Sequence, residues 1–226
     1  MFGSVQCSVS TQFAVTYFVM GSILPRNFYD RETETVAREL LGAVLECNTP
    51  SGKASGIIVE TEAYIGEHDP ACHAAAGRTR RTEPLYGRPG NSYVYFIYGV
   101  HWCFNAVTRA EGMASAVLVR AIEPLTGEPA MKRRRGTKVH GVNLTNGPGK
   151  LCAALGIDGS LNGLSLQRGP LVIRAGESVP EDQVIVTPRI GITKAADWPL
   201  RYVIRGNKWV SPFRKNGLTQ KHEGTE

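Results

Sequence analysis

From Asn27 onward the alternation of apolar and polar positions divides the chain into readable elements. Val36, Ala37, Leu40 and Leu41 recur at helical spacing, with Asp30 placed to cap this helix and Gly42 to end it in a left-handed turn. Residues 43–47 and 55–64 read as strands. In SGIIVETEAY, strict alternation puts Ile58, Glu60, Glu62 and Tyr64 on one face and Ile57, Val59, Thr61 and Ala63 on the other. Two carboxylates thus point the same way. Residues 66–90 form a loop rich in Gly, Arg and Pro, long enough that function or disorder is expected of it. The following run, NSYVYFIYGVHWCFNAV, is dominated by aromatic and β-branched residues and reads as a β-hairpin turning tightly at Tyr98-Gly99. Residues 115–122 form a further strand. The basic run 131–135 ends a short helix, and GPGKLCAALGI from Gly147 enters another through glycine and proline. Later strands are expected at 170–174, 183–192 and 200–205. Strands cluster rather than alternate with helices, which predicts a single α+β domain with a mainly antiparallel sheet.

Composition narrows the class. The chain has 226 residues, 42% hydrophobic and 20% charged, a globular balance that excludes disordered and collagen-like chains. The formal net charge is +6, unevenly spread. Residues 26–70 carry 4 basic and 9 acidic groups, residues 78–150 carry 12 basic and 4 acidic, and residues 151–226 carry 10 and 7. The middle segment holds Arg78, Arg80 and Arg81, then Lys132, Arg133, Arg134, Arg135 and Lys138, a density that attracts phosphates. A solvated helix face accounts for any one of these runs equally well. Five cysteines at wide spacings, with no CxxC, suggest neither a disulfide framework nor a zinc site, and fit a reducing compartment. The opening segment lacks the basic start of a signal peptide, and Ser4, Gln6, Ser8, Ser10, Thr11 and Gln12 interrupt any membrane span. Residues 1–23 are expected to be a flexible extension, with Met20 an alternative start, and residues 212–226 a basic tail.

Among candidate chemical groups, Glu60 and Glu62 stand first, because a carboxylate beside a cavity can hold and deprotonate a water. Such residues can equally meet solvent. Arg120 lies inside the apolar strand AVLVRAIEP and needs an anionic partner there, which a strand carboxylate would supply, either for chemistry or as a structural ion pair. Core packing explains most of the hairpin aromatics, but Tyr98 at the turn is exposed unless it inserts into something, as wedges do in distorted DNA. Tyr64 and Tyr95 could form stacking walls. Gly147, Gly149 and Lys150 at a helix entrance suit a phosphate, although the full phosphate-loop spacing is absent. His73 and Asn105 are ambiguous by themselves, and a satisfied hydrogen bond in the core or a loop is the default for each.

Taken together, LPRNFYDRET, IVETEAYIGEHDPACHA, GNSYVYFIYGVHWCFNAV, SAVLVRAIEPL, NGPGKLCAALGI, PRIGI and LRYVIRGNKWVS resemble the alkyladenine (3-methyladenine) DNA glycosylase family, in order from Leu24 to Ser211. The resemblance implies a curved sheet flanked by helices with a protruding hairpin, and hydrolysis of the N-glycosidic bond of damaged purines in double-stranded DNA. It makes Glu62 the general base, with Arg120 and the backbone carbonyl of Ile190 holding the attacking water. Tyr64, His73 and Tyr95 become walls around the flipped base, Asn105 the obstacle to a guanine amino group, and Tyr98 the wedge. Gly147, Gly149, Lys150 and Arg78 are expected phosphate contacts. No metal or cofactor is expected. A monomer is expected, without membrane attachment or secretion, acting in the cytoplasm or nucleoid of a prokaryote or the nucleus of a eukaryote. No lysine nucleophile is evident, so strand cleavage is not expected. The hairpin tip Val100-His101 and the RTRRTEPLYGRPG loop depart from the family pattern, leaving the preferred lesion open. A noncatalytic RNA-binding module would leave VETEAY and Arg120 unexplained. A small-molecule glycoside hydrolase would need neither the basic segment nor a wedge tyrosine.

Overall fold

The computed structural model describes residues 21–212 and two short paired segments, Arg214–Lys215 and Leu218–Thr219. The long apolar run around VETEAY becomes the central strand, β2 (Gly52–Tyr64), flanked in the chain by β1 (Val44–Thr49). The hairpin is β3 (Ser92–Ile97) and β4 (His101–Thr108), followed by β5 (Ser115–Thr126). Short strands β6 (Leu171–Arg174), β7 (Val184–Thr187) and β8 (Arg201–Ile204) complete an eight-stranded antiparallel sheet. Its order is β3-β4-β5-β2-β1-β6, with β8 and then β7 branching from β2. The branch has a simple cause. One edge of β2 pairs with β5 along its length, while the other is shared between β1 over residues 52–57 and β8 over residues 60–62. The sheet therefore forks and curves midway along β2, beside the two glutamates.

Four helices accompany the sheet: α1 (Arg26–Tyr29), α2 (Thr33–Glu39), α3 (Glu128–Arg135) and α4 (Pro148–Leu155). Leu40, Leu45, Phe104, Val119, Met131, Leu151 and Leu155 belong to the main core, where helices meet sheet. A smaller cluster including Leu85, Tyr86, Tyr93 and Ala116 anchors the 66–90 loop, which contains two 3-10 turns. That loop is an ordered wall. The fold class is the expected α+β with a mainly antiparallel, curved sheet and one domain.

Several local expectations change. Asp30 does not cap the Val36 helix: it follows α1, and α2 begins after Glu32 with no side-chain cap. Gly42 does adopt a left-handed φ of 84°. The strand expected over 183–192 ends at Thr187, because residues 188–192 turn inward toward β2. Ile58 does not share a face with Glu62; it joins the main core with Ala63, a residue expected opposite it. The reason is a pair of register shifts, in which Val59 is extra on β2 and Arg120 is extra on β5. Such bulges re-aim side chains locally. Residues 1–20, most of the expected extension, lie outside the described residues. Residues 21–24 pair with 173–175 along β6.

Candidate active site

The bulge at Arg120 drives a guanidinium between the two strand carboxylates. Its Nη1 donates to Glu62 Oε2 at 3.1 Å and its Nε to Glu60 Oε1 at 3.2 Å. All three side chains are buried. Glu62 accepts two further hydrogen bonds, from the Tyr64 hydroxyl to Oε2 and from the Ile190 backbone N–H to Oε1, both at 2.9 Å. The Ile190 carbonyl faces Arg120 Nη1 at 3.5 Å. Burial opposes the charge on Arg120, but Glu62 and then Glu60 offset it and hold its pKa above the ordinary arginine value. Burial, with Glu62 alongside, raises the Tyr64 hydroxyl well above the usual tyrosine range, so Tyr64 is a neutral donor.

The two glutamates have different surroundings. Glu60 accepts from Arg120, from Arg201 Nε at 2.6 Å, and from both the backbone N–H (2.7 Å) and hydroxyl (2.6 Å) of Ser211. Every lone pair has a protein partner, so Glu60 is an internal anchor. Glu62 is also fully buried, but Tyr64, Arg120 and Ile190, the groups that hold it, line a cavity of about 540 Å³. Its carboxylate is one hydrogen bond removed from the cavity surface. A small-molecule hydrolase working through both carboxylates finds no support in this arrangement.

Above this floor the walls are aromatic. His73 Nδ1 is 2.9 Å from the Tyr93 hydroxyl, and its ring meets that of Tyr95 edge-on with centroids 4.5 Å apart. Burial, then the charge of Arg81, pushes the His73 pKa below its ordinary value, favouring the neutral ring. Asn105 lines the cavity and donates from Nδ2 to the Tyr93 carbonyl at 3.1 Å. Tyr98 stands at the rim, 79% exposed. It and Gly99 have φ of 55° and 69°, the paired positive values of the tight turn that suits a right-twisted hairpin. Glycine adopts this conformation freely, whereas tyrosine is strained there, and such strain gathers at functional sites.

The cavity extends to the entrance of α4, where Gly147, Gly149, Lys150 and Arg135 line it. Pro148 occupies the first turn, and Gly149 lets α4 approach β4, since a Cβ there would fall 2.8 Å from the His101 ring. Lys150 Nζ is directed by Asn146 Oδ1 at 2.7 Å and Asn143 Oδ1 at 3.2 Å. The basic run of α3 is divided in use: Arg135 faces the cavity, while Arg134 is tied to Ala154, Thr49 and Ser51 as a structural tether. Arg78 lies apart from the cavity lining, held by Glu83 through two hydrogen bonds of 2.7 and 2.8 Å and stacked over Tyr86.

Thus the structure gathers Glu62, Arg120, Ile190, Tyr64, His73, Tyr95, Asn105 and Tyr98, with Gly147, Gly149 and Lys150, around one cavity, and leaves Arg78 outside. Sequence reasoning missed Tyr93, Asp69 and Arg189. Tyr93 was visible as an aromatic two positions before Tyr95 on the same strand face. Among the described residues, no group of three or more His, Cys, Asp or Glu could hold a metal, and no helix is long and apolar enough to cross a membrane. Cys47, Cys72, Cys103 and Cys152 are buried free thiols.

An α+β domain whose aromatic cavity ends at a carboxylate gripped by a guanidinium has the parts of a hydrolase for a flat, ring-shaped group. Residues 27–208 match the methylpurine-DNA glycosylase family model. A protein of Methanoculleus marisnigri is 48% identical over 191 residues, covering 83% of this chain and 98% of its own. One from Carboxydothermus hydrogenoformans is 47% identical over 190 residues (84% and 98%), and one from Myxococcus xanthus 49% over 191 (83% and 93%). All three are named as inferred 3-methyladenine DNA glycosylases. The chain belongs to the methylpurine-DNA glycosylase family, and is a DNA repair hydrolase of the N-glycosidic bond of alkylated purines.

Proposed function

We propose that this protein turns an alkylated purine out of duplex DNA into the aromatic cavity and releases it by water attack at the sugar carbon, with Glu62 as general base. The observation that carries this reading is the placement of Glu62 beneath the cavity floor, gripped by Arg120, Tyr64 and the Ile190 N–H. Its Oε2 and the Ile190 carbonyl both lie against Arg120 Nη1, marking the junction where a water would be held. Glu62 takes the water's proton as the sugar acquires positive charge, and its own charge favours that transition state. Alkylation makes the base a better leaving group.

Tyr64 on one side and His73 with Tyr95 on the other provide stacking surfaces, and Asn105 meets the base edge where guanine carries its amino group. Tyr98 fills the vacated place in the duplex, offsetting part of the unstacking cost. Phosphates meet the α4 entrance, where the first-turn backbone N–H groups of Gly149 and Lys150, together with the Lys150 ammonium, favour anions. Lys150, the lysine lining this cavity, is held by Asn143 and Asn146, which supports a glycosylase without strand cleavage. The protein acts as a monomer and needs no cofactor in this scheme.

The test is a pair of duplexes, one bearing a single 7-methylguanine and one a single ethenoadenine, which lacks the 2-amino group, each incubated with the protein and assayed for free base and for strand breaks before and after alkali. Free base from at least one duplex, with breaks only after alkali, is the expected result. No base release from either refutes the reading, and breaks without alkali refute the monofunctional part of it.

A further inference from the structure

A second buried ion pair lies behind the cavity wall, outside the scheme above. Arg189 Nη1 donates to Asp69 Oδ2 at 2.5 Å and to the Ala63 carbonyl at 3.0 Å, and Nη2 donates to Asp69 Oδ1 at 2.8 Å. Both side chains are completely buried. Asp69 also accepts the backbone N–H groups of Ala71 at 3.0 Å and Ile65 at 3.3 Å. The guanidinium sits 4.6 Å from the centroid of the Tyr64 ring. Burial opposes the charge on Arg189, and Asp69 more than restores it.

This pair joins three segments: the end of β2, the loop leading to His73, and the loop carrying Ile190. Each reaches the floor or a wall of the cavity. Arg189 precedes Ile190 directly, so a guanidinium fixed on Asp69 and Ala63 restricts where the Ile190 N–H can point. Ala63 precedes Tyr64, whose ring the same guanidinium covers. A buried ion pair is a poor general device for stability, since well-packed apolar residues often serve as well or better. Its location against the site is the more informative property.

We propose that Asp69 and Arg189 are positioning residues, a clamp that holds the Tyr64 ring and the Ile190 N–H in the orientation that presents Glu62 to its water. The inference rests on the proposed role of Glu62. Asp69 balances the guanidinium behind Tyr64, and the bidentate geometry sets the angle of the Ile190 loop, which a single ammonium could not do.

Arg189→Lys keeps the charge and loses the fork; Asp69→Asn keeps the shape and loses the charge. Each is compared with the unaltered chain in single-turnover release of 7-methylguanine from duplex DNA, well below its melting midpoint, with binding of the same duplex measured alongside. Both variants should release base about 10- to 100-fold more slowly, the range expected when reacting groups are misaligned by about an ångström. Duplex binding should stay close to that of the unaltered chain. A purely structural role predicts an unaltered rate per folded molecule, and that result overturns the clamp. If Asp69→Asn does not fold, Arg189→Lys decides the matter alone. Failure of the unaltered chain to release any base instead refutes the function assigned to Glu62, which separates the two failures.

Discussion

Glu60 and Glu62 lie two positions apart on one strand, both buried and both bound to Arg120, yet their replacement by glutamine should damage different properties. Glu60 faces Arg120, Arg201 and two donors of Ser211. Glu60→Gln removes the charge that balances these guanidinium groups and turns an amide N–H₂ toward a set of donors of which only the Ser211 hydroxyl can also accept. Breaking a buried pair in this way costs about 3–5 kcal/mol, a large part of the roughly 5–15 kcal/mol that holds a domain folded. At about 2–4 °C per kcal/mol for a chain of this size, the melting midpoint should fall by roughly 6–20 °C. Glu62→Gln leaves Arg120 its partner Glu60, so the stability loss should be nearer 1–3 kcal/mol, about the cost of one mismatched buried hydrogen bond. Removal of the general base should instead slow release by about 10²- to 10⁴-fold. Thermal melts by circular dichroism and single-turnover release of 7-methylguanine, at a temperature where both variants are folded, place each on two axes. Glu62→Gln should lie far down the rate axis and Glu60→Gln far down the stability axis. A Glu62→Gln rate near that of the unaltered chain, or a Glu60→Gln protein of full stability, would refute the division of roles.

Tyr98→Gly should relieve left-handed strain, raising stability by roughly 1 kcal/mol, while slowing release from a paired lesion far more than from the same lesion in a bulge. Equal slowing on both substrates, with a lowered melting midpoint, would make Tyr98 a packing residue. Lys150→Ala and Arg135→Ala should each reduce the slope of log K against log salt by about 0.9, whereas Arg134→Ala should lower stability and leave that slope unchanged; titrations of undamaged duplex at several salt concentrations check both. Because the His73 pKa is lowered by folding, the unfolded chain binds more protons around and below the ordinary histidine value of 6.5, and stability should decline as pH falls through that range. His73→Gln should flatten this part of the stability–pH curve, measured by urea melts, and an unchanged curve would refute the burial of a neutral ring.

The parts legible in the sequence were those where local chemistry contradicts its surroundings. A charged residue in an apolar strand marks Arg120 and Glu62, a bulky ring at a hairpin turn marks Tyr98, and Gly-Pro-Gly before an apolar run marks the entrance of α4. What stayed hidden arises only when distant segments meet. Asp69 and Arg189 are 120 positions apart, each in a loop with no periodic pattern. The bulge that moves Ile58 into the core depends on how β2 and β5 align, and neither strand alone announces it. Asp30 shows the reverse case, a good capping residue passed over because α1 ends on it and α2 starts later. Likewise, Arg134 and Arg135 are neighbours of identical chemistry, and only the packing of α3 makes one a tether and the other part of the cavity lining.

The hydrogen bonds from Ser211 to Glu60 also bear on where the working unit stops. The family model matches residues 27–208, but two of the donors that hold the anchor carboxylate come from beyond that limit. A fragment trimmed to the matched region would retain every group lining the cavity and still leave Glu60 short of two partners, with Arg120 attached to a loosened support. Expression boundaries and fusion junctions for this protein therefore belong downstream of Ser211, and a protease cut just before that serine would reach the centre of the site without touching it.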